Sequence, residues 1–196
     1  MRKAELERNT NETKIRVSVN LDGTGQAAPN TGVGFFDHML THLAKHGQFD
    51  IAVEAHGDLH IDAHHTVEDV GICLGQAFLQ AVGEPKGLTR YGQSAVPMDE
   101  ALAEAAVDFS GRPFLVFNAD LPRVMVGDFD AELCEEFLRA FTVNSRMTVH
   151  INLRYGKNTH HCIEGIFKAF ARALGQALRI DPNIQGVPST KGMLQA

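Results

Sequence analysis

The feature that most constrains this chain is a motif that occurs twice. His64-His65-Thr66-Val67-Glu68 and His160-His161-Cys162-Ile163-Glu164 share an adjacent histidine pair and a glutamate, all displaced by 96 residues. Upstream, Phe36-Asp37-His38-Met39-Leu40 lines up with Cys134-Glu135-Glu136-Phe137-Leu138 at an offset of 98, so a two-residue gap lies between. Self-similarity on this scale points to one half of a domain copied and fused.

The periodicities agree. Ile15, Val17, Val19 and Leu21 alternate with polar residues as in a half-buried strand, which ends in the turn Asp22-Gly23-Thr24-Gly25. Pro29 to Gly34 reads as loop, and His56 to Asp62 as strand or loop. Phe35 to His46 has helical spacing with Phe36, Met39, Leu40 and Leu43 on one face, and Gly47 is a stop. Phe49, Ile51 and Val53 form a further strand, and His64 to Val82 a long helix broken by Gly83-Glu84-Pro85-Lys86-Gly87. The order then recurs: strands over Ala101–Phe109 and Phe114–Phe117, a helix over Ala131–Val143, a strand over Met147–Leu153 and a second long helix over His160–Leu178. The expected fold is α+β, with internally duplicated half-domains over 1–93 and 94–196. Each is a small mixed sheet with helices packed on one face.

Successive helical residues lie about 100° apart, whereas positions i and i+4 share a face. His64 and Glu68 can therefore grip one ion, while His65 points elsewhere; the same holds for His160, Glu164 and His161. Folding the halves around a pseudo-twofold axis gives one site from His160, Glu164 and His65. A second comes from His64, Glu68 and His161, each site drawing on both halves, either within one chain or between subunits. The aligned upstream pair adds His38 to the first site and Glu136 to the second, with His150 a competing candidate there. An isolated histidine pair is usually a surface feature. Core packing has no use for two histidines and a glutamate copied at a fixed offset, and buried polar groups are costly unless paired or metal-bound. Imidazole and carboxylate ligands without thiolate suit manganese, iron or zinc, and four protein ligands on an octahedral ion favour manganese.

His38, His42 and His46 form a helical ridge, which is either a solvated face or a substrate-facing one. Arg90, Arg112 and Lys191 each sit in a turn-rich, glycine-containing segment and together make an anion pocket plausible in a chain of net charge −6. Glu12, Asp99 and Glu100 are ambiguous between exposed carboxylates and site residues. The acidic balance lacks the basic stripe of a nucleic-acid footprint. Cys73, Cys134 and Cys162 are too far apart for a thiolate metal site and argue for a reducing compartment. No apolar run follows the charged start or reaches membrane-spanning length, so a cytoplasmic chain without membrane partners is expected.

Taken together, Phe35-Phe36-Asp37-His38-Met39-Leu40, the two His-His-x-x-Glu motifs, Pro97-Met98-Asp99-Glu100-Ala101 and Ser110-Gly111-Arg112-Pro113 resemble the imidazoleglycerol-phosphate dehydratase family. The resemblance runs from about Arg8 to Lys191. It implies a ribosomal protein S5 domain 2-like fold in each half and a 24-subunit assembly with active sites at subunit interfaces. It also implies two Mn2+ ions per active site. One ion would be held by His38, His65, His160 and Glu164, the other by His64, Glu68, Glu136 and His161; at the Glu136 position some members carry histidine. Substrate contacts would be Glu12, His42, His46, Arg90, Arg112, Lys168, Ser189, Thr190 and Lys191, alongside His38, His64, His65, Glu68 and His160.

The implied reaction is dehydration of imidazoleglycerol phosphate, with the ring held between two metals as imidazolate. Glu12 is then the candidate base, assisted by His42 or His46. Two other classes use the same ligands: a dinuclear phosphohydrolase, which would release free phosphate, and a metal-storage protein, which would not depend on Arg90 or Arg112.

Overall fold

A computed structural model of the protein describes residues 1–194. Its first half runs β1 (Lys3–Asn9), β2 (Thr13–Asn20), β3 (Ala27–Asn30), α1 (Gly34–Gly47), β4 (Asp50–Gly57) and α2 (His64–Val82). The second half repeats this as β5 (Tyr91–Met98), β6 (Ala101–Asp108), β7 (Phe114–Asn118), α3 (Leu133–Ser145), β10 (Thr148–Tyr155) and α4 (Thr159–Ala177). A short hairpin, β8 (Met125–Val126) and β9 (Phe129–Asp130), is inserted before α3. The sheets have matching orders, β1-β2-β4-β3 and β5-β6-β10-β7. In each, three strands are antiparallel and the last lies parallel to its neighbour, as the β3–α1–β4 crossover requires.

The strand pattern places the helices. Ile15, Val17 and Val19 of β2 and Ile51, Val53 and Ala55 of β4 are buried on one face, and α1 and α2 cover it. In the second sheet the inward residues of β6 are small: Ala101, Ala103, Ala105 and Val107. Helix α4 can then lie so close that a Cβ on Gly92 would meet the Ala173 carbonyl oxygen at 1.9 Å.

The two helix layers meet in the middle, with α1 packed on α4 and α2 on α3. Phenylalanines join them: Phe137 lies 5.3 Å from Phe36 and 5.4 Å from Phe167, while Phe141 lies 5.2 Å from Phe78. All five rings are fully buried. Each copy thus buries its apolar face against the other, and this crosswise pairing of helices sets the site.

One expectation needs correction, and the structure adds two strands. The segment from Pro29, read as loop, continues strand β3 to Asn30, and Gly34 already begins α1. Pro29 is tolerated because β3 is an edge strand paired only to β4, so no ladder bond needs its missing N–H. Strands β1 and β5 had no sequence signal. Both are edge strands: β1 turns Lys3, Glu5, Glu7 and Asn9 outward, and β5 turns out Tyr91, Gln93, Ala95 and Pro97.

Candidate metal centre and anion pocket

Both histidine pairs sit in the first turn of a long helix, and a side chain fixes each start. Asp62 Oδ1 accepts the His64 N–H at 2.8 Å, and Asn158 Oδ1 accepts the His161 N–H at 3.3 Å. The first turn of each helix therefore projects its two histidines in different directions.

Because α1 packs on α4, His38 meets the second motif. Its Nε2 lies 3.2 Å from Glu164 Oε2, and His160 Nε2 lies 3.1 Å from the same oxygen. The donor atoms of His38, His160 and Glu164 all fall within 4.8 Å of one another. His42 Nε2 adds a third imidazole nitrogen at 3.4 Å from that oxygen, and lies 3.1 Å from His38 Nε2. Three ring nitrogens converging on one carboxylate oxygen bring together donor atoms of the kind that suits a shared cation. Lys168 Nζ donates to the other oxygen, Oε1, at 2.5 Å. Glu164 is only 4% exposed. Burial pushes its carboxyl up, but Lys168, His42 and His160 outweigh that and hold it at about 2. Burial takes His42 the opposite way from protonation, down to about 4 despite the nearby Glu164 charge, and also lowers His46. His42 and His46 are therefore packed against α4, while the His38 side chain stays 48% exposed; the His38 and His42 rings are 4.4 Å apart.

The other motif residues are distributed differently. His64 and Glu136 line one cavity of about 920 Å3, together with Asp62 and Asp128. Glu68 is partly exposed on the same helix. His65 lies outside the His38 cluster and faces Asp58, its Nδ1 3.0 Å from Oδ2, with Glu12 Oε2 4.0 Å away. The Asp58 contact raises the His65 pKa. His161 likewise turns to Glu100, with 2.7 Å between Nδ1 and Oε2. His150 stands exposed on the outer face of β10, opposite the helices.

Glu12 is exposed at the β1–β2 turn. The hairpin base is tied to α2 through buried Asp69, which accepts from Arg8 Nε at 2.8 Å and from the Thr13 hydroxyl. Asp58 was not singled out in the sequence, and its loop carries no local signal. Glu100 had one, since it precedes β6 as Glu12 precedes β2.

The basic residues gather elsewhere. Arg90, Arg112, Ser189, Thr190 and Lys191 line a cavity of about 780 Å3. Arg90 has a left-handed backbone, φ 72°, held by its N–H to the Ala177 carbonyl at 2.8 Å and by its own carbonyl accepting from Phe109 N–H at 2.9 Å. Its guanidinium donates to Asp108 at 2.7 Å and to the Pro188 carbonyl at 2.9 Å. This anchors the loop of Ser189 to Lys191. Since Arg90 is bonded to Ala177 and His160 begins the same helix, about 26 Å of α4 separates the two ends. Within one chain the cationic cavity and the His38–His160–Glu164 cluster are far apart.

No helix among the described residues is long and apolar enough to cross a membrane. The three cysteines are buried and unpaired.

A sequence model of the imidazoleglycerol-phosphate dehydratase family matches residues 31–174. An imidazoleglycerol-phosphate dehydratase from Acetivibrio thermocellus is 60% identical over 193 residues, covering 98% of this chain and 99% of the relative. Its counterpart from Bacillus licheniformis is 57% identical over 99% of this chain and 100% of the relative. Among solved structures, the Staphylococcus aureus imidazoleglycerol-phosphate dehydratase superposes with a TM-score of 0.83 at 46% identity, covering 91% of this chain and 99% of that one. The Pyrococcus furiosus protein, in complex with (S)-C348, gives 0.82 at 34% identity, covering 96% and 100%.

Proposed function

The chain belongs to the imidazoleglycerol-phosphate dehydratase family and is a hydro-lyase of histidine biosynthesis, and we propose that its active sites hold two Mn2+ ions and are completed between subunits. It removes water from D-erythro-imidazoleglycerol phosphate and gives imidazole acetol phosphate. Nothing in the comparisons favours a phosphohydrolase.

The observation that carries the interface reading is the length of α4. A metal cluster at one end and a cationic cavity at the other are about 26 Å apart, several times the reach of a three-carbon phosphate ester. One substrate can meet both chemistries only if another copy brings its own cavity to the cluster. A 24-subunit assembly with active sites at its subunit interfaces would do this.

The ligands proposed for one ion are His38, His160 and Glu164 with His65, and for the other His64, Glu68 and Glu136 with His161. The donor set of the first cluster fits a divalent cation. The second follows from the crosswise packing, since α3 lies on α2 as α1 lies on α4. Glu136 is the residue aligned with His38 and lines one cavity with His64, although among the described residues only His38, His160 and Glu164 bring their donor atoms within 4.8 Å of one another. His65 and His161 point away from both groups and are the ligands offered to a neighbouring subunit.

When bound, the metal pair supplies Lewis-acid stabilisation of negative charge on the imidazole ring. The chain's residues do the rest. Arg90, Arg112 and Lys191 hold the phosphate with Ser189 and Thr190, and so fix the substrate's register. Glu12, exposed and acceptor-only, takes the proton lost from carbon. His42, kept neutral by burial, and His46 stand beside the ring site, where a proton must reach the departing hydroxyl. Lys168 holds the charge of Glu164. Cytoplasmic localisation and the absence of nucleic-acid or membrane partners complete the reading.

The test is turnover of imidazoleglycerol phosphate with manganese present. A ketone product without free phosphate is expected, and Glu12→Gln should bind manganese yet lose turnover. Full turnover in that variant would remove Glu12 from the proton transfer.

A further inference from the structure

The two halves carry different carboxylates in the loops and hairpins beside the outer histidines. Strands β2 and β6 correspond, Thr13 with Ala101, so Glu12 corresponds to Glu100. Strands β4 and β10 correspond, Gly57 with Tyr155, so Asp58 corresponds to Gly156. His65 and His161 correspond through the motif itself.

In the second half the hairpin carboxylate serves the histidine. Glu100 Oε2 lies 2.7 Å from His161 Nδ1, while Oε1 accepts the backbone N–H of Asn158 at 2.7 Å and of Lys157 at 3.1 Å. Gly156 cannot compete, because a Cβ there would lie 2.4 Å from Cys162 Sγ and 2.9 Å from Ala101 Cβ. In the first half the roles are exchanged. Asp58 Oδ2 takes the position 3.0 Å from His65 Nδ1, and Glu12 stands back at 4.0 Å. Asp58 lies on the longer loop, with seven residues between Gly57 and His65 against five between Tyr155 and His161. Its Oδ1 is buried with no partner among the described residues.

A carboxylate can only accept, so the facing Nδ1 must carry the proton, which leaves the Nε2 lone pair for a metal; in His161 that nitrogen lies 3.7 Å from Asp99 Oδ2. We infer that Asp58 and Glu100 are positioning residues that fix the ligating tautomer of His65 and His161, and that Asp58 thereby releases Glu12 for proton transfer. This rests on the reading of His65 and His161 as metal ligands. The duplicated histidine needs one carboxylate in each half. Only in the first half is that need met from a different strand end, and only there is the hairpin glutamate free.

The experiment measures manganese retained per subunit over graded free Mn2+, together with turnover and the melting of each metal-free variant. Asp58→Asn and Glu100→Gln should weaken manganese binding by about 10–100-fold. Gln at position 100 still offers an oxygen to the Lys157 and Asn158 amides. Asp58→Glu should recover part of the affinity, and Asp58→Ser makes the same prediction as Asp58→Asn should the amide fail to fold. Glu12→Gln alone should leave manganese affinity unchanged. In the Asp58→Asn background it should lower affinity again, because Glu12 is then the remaining carboxylate within reach of His65. Wild-type affinity in Asp58→Asn, or a loss in Glu12→Gln equal to that in Asp58→Asn, overturns the inference. His65→Ala separates the two levels. If it keeps both metals, the ligand reading fails and the inference with it; if it loses metal while Asp58→Asn does not, the inference alone fails.

Discussion

Glu164 shows how one side chain is forced into a role. It is almost fully buried, which disfavours its charge, yet Lys168 on its own helix and His42 on α1 keep it ionised down to about pH 2. A carboxylate in that position must be compensated, and the cluster does so with cationic and imidazole groups. Glu164→Gln is expected to lower manganese affinity more than about tenfold and turnover with it, as metal analysis of the purified variant would reveal. Unchanged manganese content would remove Glu164 from the ligand set.

Asp50 illustrates the same physics without a metal. It accepts N–H groups of Thr24 at 2.8 Å and Gln26 at 3.1 Å and the Asn20 amide at 2.9 Å, and those bonds pull its carboxyl below the ordinary value. A depressed carboxyl favours the fold when ionised, so its contribution is complete above about pH 4 and fades as pH falls through the folded value. Asp50→Asn should cost below about 1 kcal/mol at neutral pH once screening is allowed for. The difference from wild type should shrink toward acid pH in denaturant titrations.

The helices depend on close approach as much as on apolar pattern. On α2, a Cβ at Gly75 would lie 2.6 Å from the Phe141 carbonyl and 2.9 Å from Asn144 Cβ, and one at Gly71 2.9 Å from Phe137 O. Helix propensity alone would make Gly75→Ala stabilising by about 1 kcal/mol. Packing reverses the sign, and a loss of about 1–3 kcal/mol is expected in chemical denaturation. A stabilised variant would mean that α2 and α3 lie further apart than described. Phe137, which touches rings from both halves, should cost about 3–5 kcal/mol on truncation to alanine.

At this scale the long helices and central strands were legible because their apolar residues recur at periods of 3.6 and 2. The edge strands β1, β3 and β5 were not, because an edge strand with one open side leaves a diluted apolar pattern, and Pro29 and Pro97 read as breaks.

The whole chain separates two halves of a chemistry along α4. If active sites form between copies, two inactive variants should complement each other. Refolding a mixture of Glu164→Gln and Arg112→Ala chains should restore a fraction of activity, since some sites would draw an intact metal cluster from one chain and an intact Arg112 from another. Activity no greater than the sum of the two variants alone would place both on the same chain.

The sequence by itself determined the duplication, the helix starts and the division of each histidine pair between two directions, because these follow from spacing and local periodicity. It also placed His38 with His160 and Glu164. Only the tertiary structure decided how the motif's residues are used. The crosswise packing of α1 on α4 brings His38 and His42 to Glu164; the lengths of the two loops before α2 and α4 decide whether Asp58 or the hairpin glutamate faces the outer histidine; and the length of α4 keeps the cationic cavity from its own chain's cluster. Such distances arise between segments far apart in sequence, where no local period carries the information. The repeated histidine pair thus specifies which groups are offered, and the packing of the two halves specifies what each one faces.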